Sequence, residues 1–389
     1  MNNFELLGFS ILGIAVLVHV IIVNITIGSG WISAMARFLA WMRGEPELEI
    51  MSRRVFKILI IHELFSGVWG TIITVLLAGF FPTLTAIATD IIFYPILIAL
   101  SSIFIRIPSI ALFWYTWGKI RASAHSVLGF VMAVSGFGIP LGFRYIFAQI
   151  TYPDALELAS RGLRDIARIA VFSNPLYLPL TFHTWMGAMS IGGFIVASFF
   201  AIRGNLNAKF AWIGLWHGVL FLMIQGLAGP WYLLTLGAKV PVLFANIMGT
   251  LGSTFNALPL FGTKLATITI LVLVSVNVWM AVKKGSGELP RYTLAVGPFA
   301  VIVATIGELM NDAARYPYMI LVGQSGIRPI ELMNVYVDLP LFAVYGIVAT
   351  LVALIGLFMA VAYYALNRSF LEDLPEGVRS NPCVYQDTS

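Results

Sequence analysis

Two histidines lie inside apolar segments that are each long enough to span a lipid bilayer. His19 occupies the run Leu17-Val-His-Val-Ile-Ile-Val-Asn-Ile-Thr-Ile-Gly28, and His183 follows Asn174-Pro175 in the run Phe182-His183-Thr184. Ionisable side chains are costly within the hydrocarbon core, so their presence there indicates function. A neutral imidazole in a membrane bundle is also a common ligand of haem iron. The two residues therefore predict an integral-membrane cytochrome.

Two carboxylates stand at one end of the eighth predicted span. Glu308 and Asp312 lie just before Arg315. His183 enters its own span from the same side and lies roughly 12 Å deep, because a helix rises about 1.5 Å per residue. His19 enters from that side too and lies nearer the midplane. These groups are expected to share one cofactor zone.

Several buried cations could neutralise the propionates of a haem. Arg144 and Lys264 are the candidates, with Arg106 as a third. Arg144 could instead snorkel to the membrane surface. Arg106 is too deep for easy snorkelling and needs a partner.

A second pair of histidines lies at matching depth near the opposite surface. His62 and His217 each stand about eight residues in from a basic residue, on different predicted helices. Such a pair could ligate an inner haem, although a lone buried histidine is more often a hydrogen-bonded packing residue. Glu63 could orient an imidazole, carry protons or face a neighbouring helix.

Composition sets the class of protein that carries these residues. The chain has 389 residues, of which 59% are apolar and 11% charged, whereas soluble domains carry about 25% charged residues. The net charge of +5 is expected to reflect membrane topology and not nucleic-acid binding. The single cysteine, Cys383, excludes disulfides and four-cysteine iron–sulfur clusters within this chain.

The apolar pattern predicts an all-α membrane bundle of nine helices, and no segment is typical of a strand. Each span needs about 20 apolar residues. The predicted spans are 6–36, 55–81, 87–118, 125–150, 177–202, 210–236, 259–282, 292–312 and 340–366. We expect one transmembrane haem-binding domain over 1–370 and a polar cytoplasmic tail over 371–389.

The distribution of lysine and arginine predicts the orientation, because cytoplasmic loops are enriched in these residues. One set of connections carries far more of them than the other. The sparse set holds Arg161, Arg164, Arg168, Lys239, Arg315 and Arg328, and part of it is mixed with acidic residues. The N-terminus is therefore expected outside and the C-terminus in the cytoplasm.

These landmarks resemble the haem-bearing subunit I of cytochrome bd quinol oxidases, and the resemblance runs through nearly the whole chain. The segment around His19 resembles the family segment whose histidine ligates an oxygen-reducing high-spin haem. Asn174-Pro175 with His183 is similar to the segment that carries the histidine of the low-spin b haem. The run Gly307-Glu-Leu-Met-Asn-Asp-Ala-Ala-Arg315-Tyr-Pro317-Tyr318 resembles the family motif G-W-x-x-x-E-x-G-R-Q-P-W.

The chain also departs from the family pattern. Asp312 stands where the family has its glutamate ligand, so the resemblance implies that the second high-spin haem is bound either by Asp312 or by Glu308, one turn earlier. Ile98 and Arg106 match the positions of two carboxylates tied to proton delivery. Ala266 replaces the methionine that is the second ligand of the low-spin haem, although Lys264 matches a basic residue nearby. The connection between spans six and seven has only about 20 residues, whereas the family's long loop there holds the quinol site.

The resemblance implies a divergent oxidase subunit in a prokaryotic cell membrane. It implies two or more haems b, with haem d as a further candidate. It also implies a second membrane subunit of similar fold and an electron donor on the outer side that is not a quinol. Two alternatives stay open: a b-type cytochrome that conducts electrons for a partner oxidoreductase without reducing oxygen, and a transporter without haem.

Overall fold

Nine long helices form the body of the protein, as the sequence predicts. The computed structural model describes residues 3–201, 205–283, 289–333 and 339–371. Within them, nine helices are long and apolar enough to cross a bilayer. They are α1 (Asn3–Arg43), α2 (Pro46–Phe80), α4 (Phe93–Tyr115), α5 (Ala122–Thr151), α8 (Tyr177–Phe200), α9 (Asn205–Lys239), α11 (Leu258–Ala281), α12 (Val296–Ala313) and α13 (Leu341–Leu371).

Short elements fill the three longer connections and the turn before α4. They are the helices α3 (Pro82–Asp90), α6 (Asp154–Ser160), α7 (Arg164–Ala170) and α10 (Pro241–Met248), the 3₁₀ turns Val171–Ser173, Arg291–Ala295 and Pro329–Leu332, and the strands β1 (Ile320–Val322) and β2 (Ser325–Ile327). Beyond Leu371, the predicted tail lies outside the described residues.

Two details of the sequence prediction are wrong. The predicted third span, 87–118, is not one helix, because the chain turns between α3 and α4 and the span itself begins at Phe93. The expectation of no strand also fails, since β1 and β2 form an antiparallel hairpin. Gly323, in the turn of that hairpin, has a φ of 61°, which glycine adopts without strain. Three-residue strands are too short to show an alternating pattern.

The helices form two groups of four with α13 on the outside. The pairs α1–α2 and α4–α5 make the first group, and α8–α9 and α11–α12 make the second. The groups meet chiefly where α1 packs on α8. A Cβ on Gly192 would lie 2.5 Å from the backbone of Gly28, so small residues allow this close crossing. The helix α8 is the most enclosed span and forms the centre of the bundle.

The longer connections all lie at one end of the bundle, together with the N-terminus. The carboxylate of Glu5, at the start of α1, accepts a 2.7 Å hydrogen bond from Arg328. Arg168 of α7 hydrogen-bonds Asp90 of α3, and this contact holds the pKa of the Asp90 carboxyl below its usual value. Asn246 of α10 donates to the Ala314 carbonyl at 2.8 Å. The sparse set of basic residues therefore shares one end, as an alternating topology requires.

One arginine connects the whole first group of helices. Arg106 of α4 is 1% exposed and donates to both carboxylate oxygens of Glu63 on α2, at 2.8 and 2.9 Å. It also donates to the carbonyls of Thr26 on α1, at 3.2 Å, and of Met132 on α5, at 3.0 Å. A Cβ on Gly136 would lie 2.3 Å from the guanidinium, so this position must lack one. Glu63 thus faces a neighbouring helix, which was one of its three open roles.

We predict that Arg106→Met destabilises the protein strongly. The change leaves Glu63 as an uncompensated carboxylate inside the bundle, which costs about 3–5 kcal/mol for a buried pair. Chemical unfolding in detergent measures the loss. The double variant Glu63→Leu/Arg106→Met should recover much of it, and Arg121→Met, at an exposed arginine, is the control. Equal stability of the single variant and wild type would contradict the prediction.

Candidate functional site

A cavity of about 1830 Å³ opens beside α1 in the first group of helices. Its wall is mostly apolar and comes from α1, α2, α4, α5 and the end of α12. Ordinary ligand pockets measure about 300–1,000 Å³, so this one has room for more than one large flat cofactor. Among the predicted site residues, the wall contains His19, Arg144, Asp312 and Arg315. The cavity therefore brings together groups that are far apart in the sequence.

His19 reaches the cavity with one ring nitrogen already committed. Its Nδ1 lies 3.1 Å from the carbonyl oxygen of Ser66 on α2, and its Nε2 makes no hydrogen bond to a described residue. Histidines that bind a metal usually donate their other N–H to a carbonyl or carboxylate, which fixes the tautomer. A Cβ on Gly70 would lie 3.2 Å from Cε1 of the ring. Gly70 therefore leaves the space in which the imidazole sits.

The two carboxylates at the end of α12, Asp312 and Glu308, have different surroundings. Asp312 lines the cavity and accepts a 2.5 Å hydrogen bond from Arg315, which also reaches the Thr151 hydroxyl at 3.3 Å. Glu308 is not in the cavity wall and pairs with Arg144 at 3.4 Å. Of the two candidate ligands, only Asp312 shares the cavity with His19. Arg144 is buried beside a carboxylate and does not snorkel to the surface.

His183 lies outside this cavity wall, on α8 against α9. The side-chain nitrogen of Gln225 lies 2.9 Å from Nδ1 and 3.0 Å from Nε2 of its ring. The Tyr232 ring centroid is 6.1 Å away. Lys264 and Arg144 are near enough to act on the imidazole electrostatically, and Lys264 also lies close to Gly307 and Glu308 of α12. Lys264 therefore lies within electrostatic range of both His183 and Glu308, and Glu308 pairs with Arg144.

The two histidines of the second pair have separate surroundings. His62 of α2 hydrogen-bonds the Ile58 carbonyl of its own helix at 2.8 Å. Neither ring nitrogen of His217 on α9 has a hydrogen-bond partner of normal geometry, although the backbone of Met189 is nearby. The helix α1 packs on both α2 and α8, and α8 packs on α9. Ligation of an inner haem by this pair stays a prediction that no contact between the two rings supports.

The connection between α9 and α11 is short and ordered, as its length predicts. Asn246 of α10 holds it: its Oδ1 accepts from the backbone N–H groups of Thr254, at 2.7 Å, and Phe255, at 3.1 Å. The same side chain donates to Ala314, next to Arg315. We call this set of contacts the Asn246 clamp. It joins the loop directly to the end of α12 that carries Asp312.

Some residues of this region escape sequence reasoning. Glu63 and Arg106 are visible as intramembrane charges, but their pairing depends on how two helices are rotated against each other. Gln225 is a polar residue in an apolar span, a signal that could have singled it out. Gly70 has no signal in the sequence, because its role depends on the His19 ring.

A haem fits the residues around the cavity. His19 offers a free Nε2 with its Nδ1 held by a carbonyl, and Asp312 offers a carboxylate across the same space. The wall contains four cationic side chains, Lys57, Arg106, Arg144 and Arg315, and the last three pair with Glu63, Glu308 and Asp312. The propionates of a haem would find cationic partners in this otherwise mostly apolar wall.

Comparison with known proteins gives the same answer. Residues 10–262 match the sequence model of the family described as cytochrome bd terminal oxidase subunit I. No curated protein matches the chain. A solved structure, the bd oxidase from Geobacillus thermodenitrificans, matches with a TM-score of 0.80 at 17% identity, covering 95% of this chain and 99% of that one. The structural match supports the shared fold. The family match covers well over half of the sequence, and the chain therefore belongs to the cytochrome bd terminal oxidase subunit I family.

Proposed function

We propose that the chain is the haem-carrying subunit of a bd-type oxidase that reduces oxygen in the cavity beside α1. In this proposal His19 and Asp312 are the protein ligands of a high-spin haem pair. His183 is a ligand of a low-spin b haem on the electron entry side. The family membership supports a membrane oxidoreductase of electron transport that binds haem. A transporter without haem does not agree with that family.

The arrangement of His19 is the observation that carries the proposal. A ligand histidine needs one nitrogen for the metal, a partner for the other and open space in front of the ring. His19 meets all three conditions through the Ser66 carbonyl, Gly70 and the cavity.

The other residues have supporting roles. Asp312 is the proposed second ligand, because Glu308 forms an ion pair with Arg144. If Asp312 ligates the haem iron, Arg315 would no longer be paired with it and would hold a propionate. Arg144 and Lys264 supply positive charge between the cavity and His183. The apolar wall excludes water from the reacting zone.

Haem, when bound, supplies one-electron transfer and the binding and reduction of oxygen. The chain would position it, with Arg106 still paired to Glu63 and Arg144 to Glu308. A second membrane subunit of similar fold is the proposed partner. The donor is proposed to be an electron carrier that docks at the end with the long connections, since the quinol loop of the family is short here.

The second candidate function is that of a b-type cytochrome that conducts electrons and does not reduce oxygen. Arg106 occupies a position where the family has a proton-linked carboxylate, and it is fully engaged by Glu63 and two carbonyls. This arrangement favours a site without that proton route. Oxygen consumption with an artificial reductant separates the candidates: absence of consumption at full haem content would favour the conductor.

We predict that His19→Ala loses the high-spin haem. The variant keeps the fold but removes the only cavity-facing ring nitrogen among the described histidines. A pyridine haemochrome assay with a reduced spectrum measures the loss. His62→Ala is the matched control and should keep every haem. Full haem content in His19→Ala would refute the ligand assignment.

A second prediction distinguishes the two carboxylates. Asp312→Ala should lose the second high-spin haem, because a direct ligand is gone. Glu308→Ala should keep this haem, with its affinity lowered about 10- to 100-fold at most. That is the usual effect of losing a residue that supports a ligand without binding the metal itself. Haem titration of both purified variants measures the difference. The reverse order would transfer the ligand role to Glu308.

A third prediction concerns the orientation of the chain in the membrane. We propose that it lies in a prokaryotic cell membrane with its N-terminus outside. Cys383 is the single cysteine and should react with a membrane-impermeant maleimide only in inverted vesicles. Labelling in intact cells would reverse the topology. A variant with Cys383→Ser and a cysteine at Ser160, in the opposite set of connections, is the control and should label in intact cells.

A further inference from the structure

The short helix α7 and the residues beside it carry a row of apolar side chains that the rest of the described chain leaves uncovered. Leu163, Ile166 and Ile169 are 43%, 55% and 74% exposed, and Phe172 is 42% exposed. The four follow one another at intervals of three residues, so they share one side of the helix. We call them the apolar row. A contiguous exposed apolar patch marks a contact with a partner or with a membrane.

The other two sides of α7 have clear surroundings. Ala167 and Val171 are fully buried and pack with the core at this end of the bundle. The polar side holds Arg164, Asp165 and Arg168, and the Asp165 side chain is almost fully exposed. The helix therefore has a buried side, a polar side and, distinct from both, the side of the apolar row.

Contacts with the spans fix the level at which α7 lies. Arg168 hydrogen-bonds Asp90, the last residue of α3, shortly before α4 begins. Phe172 packs edge-on against Tyr145 of α5, with the ring centroids 5.2 Å apart. Tyr145 lies six residues before the end of α5, which corresponds to about 9 Å of helix. The end of the apolar row thus reaches below the end of a span, beside the bundle and not above it.

The apolar row adjoins surface that the membrane covers. Family membership places the spans in a membrane, so their exposed apolar side chains face lipid. Tyr94 at the start of α4 is such a residue, and it lines a small hollow together with Arg168 of α7. Leu178 at the start of α8 is another. Tyrosine is also common where a span meets the membrane–water interface.

We propose that α7 is an interfacial helix whose apolar row inserts between the glycerophospholipids of the leaflet at this end of the bundle. Amphipathic helices of this kind bury their apolar side about 5–10 Å into the boundary between headgroups and acyl chains, and the depth of Phe172 agrees with that range. Arg161 and Arg164 are exposed beside the row, so their guanidinium groups can bind lipid phosphates.

The level of the apolar row favours lipid over a protein as the occupant. An electron carrier from the aqueous phase would dock on top of the connections, whereas the row lies beside the ends of the spans. The polar side of α7, with Asp165 at its most exposed point, is the side that faces water. The proposal depends on the membrane setting of the family and on no haem ligand.

The test is the accessibility of a nitroxide side chain in the purified protein, reconstituted in vesicles of phosphatidylcholine and phosphatidylglycerol. Cys383→Ser removes the single cysteine, and Ile169→Cys then provides one position for the label. Electron paramagnetic resonance measures how strongly the label is relaxed by oxygen, which concentrates in lipid, and by a water-soluble nickel complex. Asp165→Cys is the matched control, because it lies on the polar side of the same helix.

We expect the ratio of oxygen to nickel accessibility at Ile169→Cys to exceed the ratio at Asp165→Cys by about tenfold, since a polar complex is excluded from an apolar layer. Equal ratios with high nickel accessibility would show that the row faces water. Low accessibility to both reagents at Ile169→Cys would show that protein covers it. Either result would overturn the proposal. Ile166→Cys is a second labelling position on the row and must give the same high ratio, and no outcome changes if the haem assignments fail.

Discussion

The buried ion pair between Arg106 and Glu63 is the constraint on which the first group of helices depends. Its guanidinium contacts α1, α2 and α5 from its position on α4, so four helices share one set of hydrogen bonds. Charges at such a depth are stable only when paired and fully bonded. The same pair forms part of the cavity wall. The walls of the candidate site and the packing of the bundle thus have a common origin.

The cavity follows from how α2 and α4 are held. Both helices pack on neighbours, α2 on α1 and α4 on α5, and the arginine reaches across the space between them. The result is a roomy, mostly apolar space with charges at fixed points. This is the setting in which a large cofactor with an apolar ring and anionic edges is stable.

Much of this fold could be predicted from the sequence, because apolar length and basic residues are one-dimensional signals. The nine spans and the grouping of the long connections at one end follow from them. Depth is equally one-dimensional, and it predicts one zone for His19 and Asp312, which both line the cavity. The lateral position of a helix in the bundle is not recorded in this way. His62 and His217 match in depth, yet His62 hydrogen-bonds its own helix and His217 lies against Phe221. The partner of Arg106 and the contact of Gln225 with His183 depend on helix rotation, which the hydrophobic pattern of a buried span does not record.

The Asn246 clamp has a consequence for how relatives of this chain can differ in length. Its hydrogen bonds close the loop on either side of residues 249–253, and Leu251 at the tip is fully exposed. Extra residues inserted at such a tip raise the closure entropy only slowly with length. A large extramembrane segment can therefore be added or removed at this point while the clamp keeps the end of α12 in place. The extramembrane loop and the cavity can then diverge independently.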